Sequence, residues 1–224
     1  NISITQNDTD IDIAQYATAT VNVAGSGGNE DLIDLIERDI TTFNIPNGTT
    51  KIGDYTFYYY SGLTSVTIPD SVTSIGNNSF KGCSGLTSVT IPDSVTRFGN
   101  EAFHDCTHLT SVTIGSGVTS IGNSAFYGCS GLTSVTIPNS VTKIEYMAFR
   151  GCTSLTSVTI PDSVTRIENQ AFRSCSSLTS VTIQAATPPT LDYSAFDSTN
   201  NCPIYVPAES VEAYKAATNW STYA

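Results

Sequence analysis

What this sequence has little of already excludes several classes of function. Only nine of its 224 residues are Lys or Arg, against 20 Asp and Glu, and no basic stripe forms anywhere along it. A chain of net charge −11 is repelled by phosphate backbones and by anionic lipid surfaces, so nucleic acid is not an expected partner. No run of about eighteen apolar residues occurs, which excludes a transmembrane helix. The amino end, NISITQNDTD, has neither the basic nor the apolar region of a secretion signal, although a signal already removed would leave no trace. Histidine is nearly absent, with His104 and His108 on one short segment, and no serine sits in a GxSxG elbow. Nothing nominates an acid, base or nucleophile, so neither an enzyme nor a cofactor is expected.

What is present is one phrase written repeatedly. LTSVTIPDSVTSIG, Leu63 to Gly76, returns in close copies starting at Leu86, Leu109, Leu132 and Leu155, with a period of 23 residues from Ile40 to Leu178. Such a period is the signature of a solenoid, in which each turn hides its apolar side by stacking on its neighbours. Three segments follow. Residues 1–39 read as an acidic cap of a strand plus a short helix, residues 40–183 as the array, and residues 184–224 as a last irregular turn and a helical cap. Charge follows this division: −7 in the first segment, −1 across the array and −3 in the last.

Within LTSVTI, Val66 and Ile68 alternate with Ser65 and Thr67 in a period of two, which predicts a short strand with Ser65 and Thr67 outward. Pro69 ends it and is expected at the first central position of a type I turn, as are Pro46, Pro92, Pro138 and Pro161. SVTSIGNNSFKGCSG suits neither a long helix nor a long strand, and predicts a short extended piece, then a loop or single helical turn. Phe57, Phe80, Phe103, Phe126, Phe149 and Phe172 recur in register and should form an interior aromatic column. Gly76 has counterparts in Glu145 and Glu168, so its position cannot demand a positive φ. Asn29 is a plausible N-cap for NEDLIDLIERD, and Pro207 opens an expected helix over Ala208–Ala217 that seals the far end.

The phrase LTSVTIPDSVTSIGNNSFKGCSG resembles the BspA-like leucine-rich repeats of bacterial surface proteins, with their pattern LxxVxIP followed by VxxIGxxAFxxC. The likeness covers Ile40 to Ile183, and CPIYVPAESVEAYKAATNWSTYA is similar to the segment that ends such arrays in gut bacteria. The resemblance implies a right-handed, gently curved superhelix with a parallel β-sheet on one face, irregular or short extended and helical segments on the other, and small α/β caps. It also implies a secreted or surface-anchored, adhesin-like role. Because PDS or PNS stands where ordinary leucine-rich repeats carry asparagine after the strand, their asparagine ladder is not expected.

Several motifs suggest chemistry and give way to plainer readings. Cys83, Cys106, Cys129, Cys152 and Cys175 share one register, so their side chains point the same way and read as buried free thiols rather than disulfides. His104, Asp105, Cys106 and His108 are zinc-type residues within five positions, yet both histidines occupy variable surface registers; they are a weak metal candidate. DTDIDIA, with Asp8, Asp10 and Asp12, lacks the glycine and glutamate of a calcium loop, and VAGSGGNEDLI lacks the third glycine of a dinucleotide fingerprint.

Two outward faces remain for binding. On the sheet, Ser65, Thr67, Ser88, Thr90, Ser111, Thr113, Ser134, Thr136, Ser157 and Thr159, continued by Ser180 and Thr182, form two hydroxyl rows at rises of roughly 4.8 Å. A row of identical rungs suits a repetitive ligand, and a host extracellular protein or glycan is the expected partner of a monomeric chain. The alternative is a spacer that presents something else. Along the loops, Lys51, Arg97, Lys143 and Arg166 share one register and Lys81, Arg150 and Arg173 another, with acids nearby; this is read as a mixed, soluble surface. Tyr55, Tyr58 and Tyr59 are read as an aromatic plug near the amino cap.

Overall fold

Ser65, Val66 and Thr67 set the pattern of the front sheet: the β-branched valine is buried and its two hydroxyl-bearing neighbours face out. A computed structural model describes residues 41–223. The expected amino-terminal cap, with Asp8, Asp10, Asp12 and the glycine-rich stretch, lies outside the described residues. Eight front strands follow one another in chain order: Thr42–Asn44, Ser65–Thr67, Ser88–Ile91, Ser111–Ile114, Ser134–Thr136, Ser157–Ile160, Ser180–Ile183 and Ile204–Tyr205. All pair in parallel, and the six inner strands meet like on like, as in Ser88↔Ser111 and Thr90↔Thr113. The chain is therefore a parallel-strand β-solenoid of the leucine-rich-repeat type. Parallel sheets usually have both faces covered; here the core covers one, and the hydroxyl face is open.

The corner after each strand corrects the expected turn. Pro69 does not take a central position; its carbonyl accepts from the Val72 N–H at 3.0 Å, which makes it the first residue of the turn. The same bond recurs from Val95 to Pro92 and from Val141 to Pro138. The fixed φ of proline thus directs the exit from the strand, and Asp70 and Ser71 take the bend, as their tendency to turn allows.

On the back of each turn a second strand of two residues runs, Ser74–Ile75 in the second turn. These extended pieces form two separate sheets, one of Lys51–Ile52, Ser74–Ile75 and Arg97–Phe98, the other of Ser120–Ile121, Lys143–Ile144, Arg166–Ile167 and Thr190–Leu191. The break falls where Phe98 replaces the usual isoleucine and packs at 6.0 Å from the ring of Phe103 and 5.7 Å from that of Phe126. The bond from Gly99 N–H to the Ile75 carbonyl (2.9 Å) resumes as Glu145 to Ile121 (3.0 Å), but among the described residues none joins Gly122 to Phe98.

After the back strand come successive tight turns instead of a helical turn. Each turn places two residues in the left-handed region, Asn78 and Gly82 in the second, Glu101 and Asp105 in the third, Met147 and Gly151 in the fifth. The first of these positions is never glycine. Gly76 itself does not adopt a positive φ; a Cβ there would sit 2.6 Å from the Asp54 backbone nitrogen, so close approach of the turns is what glycine serves. A short asparagine ladder does span the first four turns, though not after the strand. The N–H groups of Asn77, Asn100 and Asn123 donate to the side-chain oxygens of Asp54, Asn77 and Asn100 at 2.7, 2.9 and 3.1 Å.

The core fills the space between the two sides. Phe57, Phe80, Phe103, Phe126, Phe149, Phe172 and Phe196 stack in one column with centroids 4.9–5.6 Å apart and planes within 9°. Beside it each in-register thiol donates to a phenylalanine carbonyl 26 residues earlier, Cys83 to Phe57 at 3.0 Å and Cys129 to Phe103 at 3.1 Å. None of the six cysteines forms a disulfide, and only Cys202 is less than buried. At the carboxyl end the helix is shorter than expected, a 3-10 turn at Ala208–Ser210 and then Val211–Ala216. Tyr214 on this helix, whose hydroxyl donates to Ala185, and Trp220 in the 3-10 turn Trp220–Tyr223, whose indole donates to Pro189, each at 2.7 Å, seal the column. Burial pushes the Tyr214 phenol up to about 12.

Candidate binding face

Threonines on this protein do two different jobs. Thr64, Thr87, Thr110, Thr133, Thr156 and Thr179, one residue before each front strand, donate their hydroxyls to the backbone carbonyl one turn earlier at 2.7–3.3 Å. Thr73, Thr96, Thr142 and Thr165 do the same on the back. These rungs tie turns together, and the sequence does not mark them out, because nothing in their identity distinguishes a tethered threonine from a free one.

The rows singled out from the sequence are placed differently. Ser65, Thr67, Ser88, Thr90, Ser111, Thr113, Ser134, Thr136, Ser157 and Thr159 are exposed on the outer face of the front sheet, and Ser180 and Thr182 are half-buried near its end. Among the described residues, none of these hydroxyls is spent on a hydrogen bond within the protein. Each keeps one donor and two acceptor positions for solvent or a ligand. The rows are aligned rung to rung, for example Ser134↔Ser111 and Thr159↔Thr182. The eighth rung was missed: Tyr205 lies opposite Thr182 in the threonine register. The signal was present, since Tyr205 follows Thr182 by the same 23 residues.

Three of the loop-edge cations form ion pairs. Lys81 Nζ lies 2.5 Å from Glu101, Lys143 lies 3.0 Å from Glu168, and Arg166 lies 3.0 Å from Asp192. The Glu168 and Glu145 carboxylates raise the proton affinity of Lys143. Arg150 donates to the Gln170 side chain and sits 5.7 Å over the Tyr127 ring. This edge is a mixed surface, as expected.

The zinc-type residues do not converge. His104 stacks on Tyr127 at 4.6 Å with its Nδ1 3.2 Å from Asp105, whereas His108 Nδ1 meets the Ser84 carbonyl at 2.7 Å. The Cys106 thiol turns inward to the Phe80 carbonyl at 3.2 Å, and burial pushes its pKa well up. Among the described residues no three His, Cys, Asp or Glu side chains are grouped to hold a metal. Tyr55, Tyr58 and Tyr59 do not plug the core: they are 57%, 40% and 55% exposed and pack edge-on against one another. Of the tyrosines in this run, Tyr60 enters the core, in the register of the cysteines.

Comparison with known proteins agrees with this architecture. A leucine-rich repeat protein from Eubacterium ventriosum has a similar solved structure, with a TM-score of 0.64 and 28% identity over 71% of this chain. This chain spans 43% of that protein's length. A leucine-rich repeat protein from T. pallidum is similar at a TM-score of 0.64 and 25% identity, over 77% of this chain and 78% of that one. No curated protein matches the sequence. The family model for the BspA type leucine rich repeat region matches in six copies, over residues 36–153 and 107–217. With the period, the parallel front sheet and the phenylalanine and cysteine columns in place, the chain belongs to the BspA-type leucine-rich-repeat family.

Proposed function

We propose that this chain is a non-enzymatic binding module of adhesin type, secreted from or carried on the surface of a bacterium, that engages a host extracellular protein or glycan through the front sheet of the solenoid. One observation carries the reading: the protein uses one set of threonine hydroxyls to tie its turns and leaves a second set, equally regular, open to solvent. Threonine pairs across neighbouring strands also stabilise the sheet, and the hydroxyls they leave unspent are the groups a partner would meet. The repetition of rungs supports a repeating or fibrous partner, because every rung offers the same groups.

The test is binding of purified protein to immobilised host matrix proteins and glycans, beside a variant with Thr67, Thr90, Thr113 and Thr136 changed to lysine. Selective binding that the variant loses supports the sheet as the recognition face. A correctly folded protein that binds nothing, or whose variant binds equally well, points to the spacer role.

A further inference from the structure

We propose that the carboxyl-terminal end of the front sheet is a glycan-binding cleft that seats a neutral pyranose ring on Tyr205. The inference rests on the sheet face being the recognition surface, and narrows it to one end and one ligand class. Tyr205 holds the eighth rung of the threonine register, directly opposite Thr182, and its ring is 57% exposed. Together with Thr182, Gln184, Asp162 and Asn139 it lines a shallow cleft whose floor is Ile183 and Val206.

Each polar member arrives there for a reason of register. Asn139 and Asp162 stand 23 residues apart on successive corners, both exposed. Gln184 follows Ile183 where Pro161 follows Ile160, so a side chain with donor and acceptor replaces a proline ring. Its backbone N–H closes the corner on the Ile160 carbonyl at 2.9 Å, leaving the amide side chain exposed. Among the described residues the side chains of Asn139, Asp162, Thr182, Gln184 and Tyr205 make no hydrogen bond within the protein.

An exposed aromatic face beside two amides, a carboxylate and a hydroxyl matches the two sides of a sugar: C–H groups for the ring, vicinal hydroxyls for the mixed donors and acceptors. Charge selects within that class. The cleft holds a carboxylate and no basic residue, on a chain of net charge −11, so an anionic glycan is repelled and a neutral one is not.

Affinity electrophoresis through gels containing a soluble β-glucan, a galactomannan, a xylan or, as the anionic control, polygalacturonate tests this. At least one neutral polysaccharide should retard the wild-type protein, and polygalacturonate should not. Tyr205→Phe should keep the retardation, while Tyr205→Ala should weaken binding at least about tenfold, the loss of one aromatic contact. Asp162→Ala with Gln184→Ala gives a second variant, and a thermal melt checks the folding of each. Retardation by no neutral polysaccharide, or equal binding by Tyr205→Ala, overturns the proposal. Binding to a matrix protein that the four-lysine variant loses and Tyr205→Ala keeps would overturn the glycan cleft while leaving the sheet-face reading intact.

Discussion

Ser79 departs from its register, and replacing it with alanine should stabilise the protein. Its hydroxyl is fully buried and has no hydrogen-bond partner among the described residues, whereas later turns hold Ala102, Ala125, Ala148 and Ala171 in the same place. A buried hydroxyl without a partner costs about 1–3 kcal/mol. Removing the oxygen forfeits a few dispersion contacts of about 0.1–0.2 kcal/mol each, so relief of the unsatisfied group is the larger effect. For a chain of this size each kcal/mol moves the melting temperature by about 2–4 °C, and Ser79→Ala should melt about 2–12 °C higher when followed by circular dichroism. The reciprocal change, Ala125→Ser, should lower it by a similar interval. One competing arrangement is visible one turn earlier, where Thr56 donates to the Gly53 carbonyl at 2.9 Å. If Ser79 reached the Gly76 carbonyl in the same way, Ser79→Ala would melt lower than wild type, and that result refutes the reasoning.

Phe149→Ala removes a fully buried ring stacked on Phe126 and Phe172, which should cost about 3–5 kcal/mol and split a single denaturant transition in two, as expected when the middle interface of a stack fails; an unchanged midpoint and one sharp transition count against the aromatic column as a stability element. Under native conditions at pH 8 the five in-register thiols should resist a thiol reagent while half-buried Cys202 reacts first, and rapid labelling of more than one thiol contradicts their placement. Burial, reinforced by Lys81 and opposed by Asp105, lowers the proton affinity of His104, so the unfolded chain takes up the proton more readily and stability falls as the pH drops below about 6.5. His104→Gln should flatten the fall in melting temperature between pH 7 and pH 5, and an unaltered slope refutes the assignment. Phe98→Ile should let the two back sheets join; hydrogen exchange at the Gly122 amide should slow about tenfold, the equivalent of one hydrogen bond, and an unchanged rate shows that Phe98 is not what separates them.

The front sheet and the core were legible because each is a matter of period. A residue that returns every 23 positions must meet its own copy, so Val66 and Val89, or Phe80 and Phe103, need no further information to be placed. What stayed hidden depends on which atoms meet. Pro69 looked like the centre of a turn and proved to be its first residue, a difference of one peptide that composition cannot express. No asparagine ladder is expected after the strand, and the one from Asp54 through Asn100 runs instead at the entry to the back turns, where glycine lets successive backbones approach. Left-handed residues such as Glu101 and Met147 carry no glycine to announce them.

The same distinction governs the binding face. Identical rungs give every register of a ligand the same energy, so the serine and threonine rows can hold a repeating partner without fixing where it lies. Fixing it requires a group that occurs once. Along the threonine register that condition is met at the ends, where Asn44 faces Thr67 and Tyr205 faces Thr182. Of the two, only Tyr205 combines a large apolar surface with unspent polar neighbours on adjacent corners. If the sheet binds a repeating partner as proposed, its position would be set from the carboxyl-terminal end by Tyr205, while the uniform rungs would supply length.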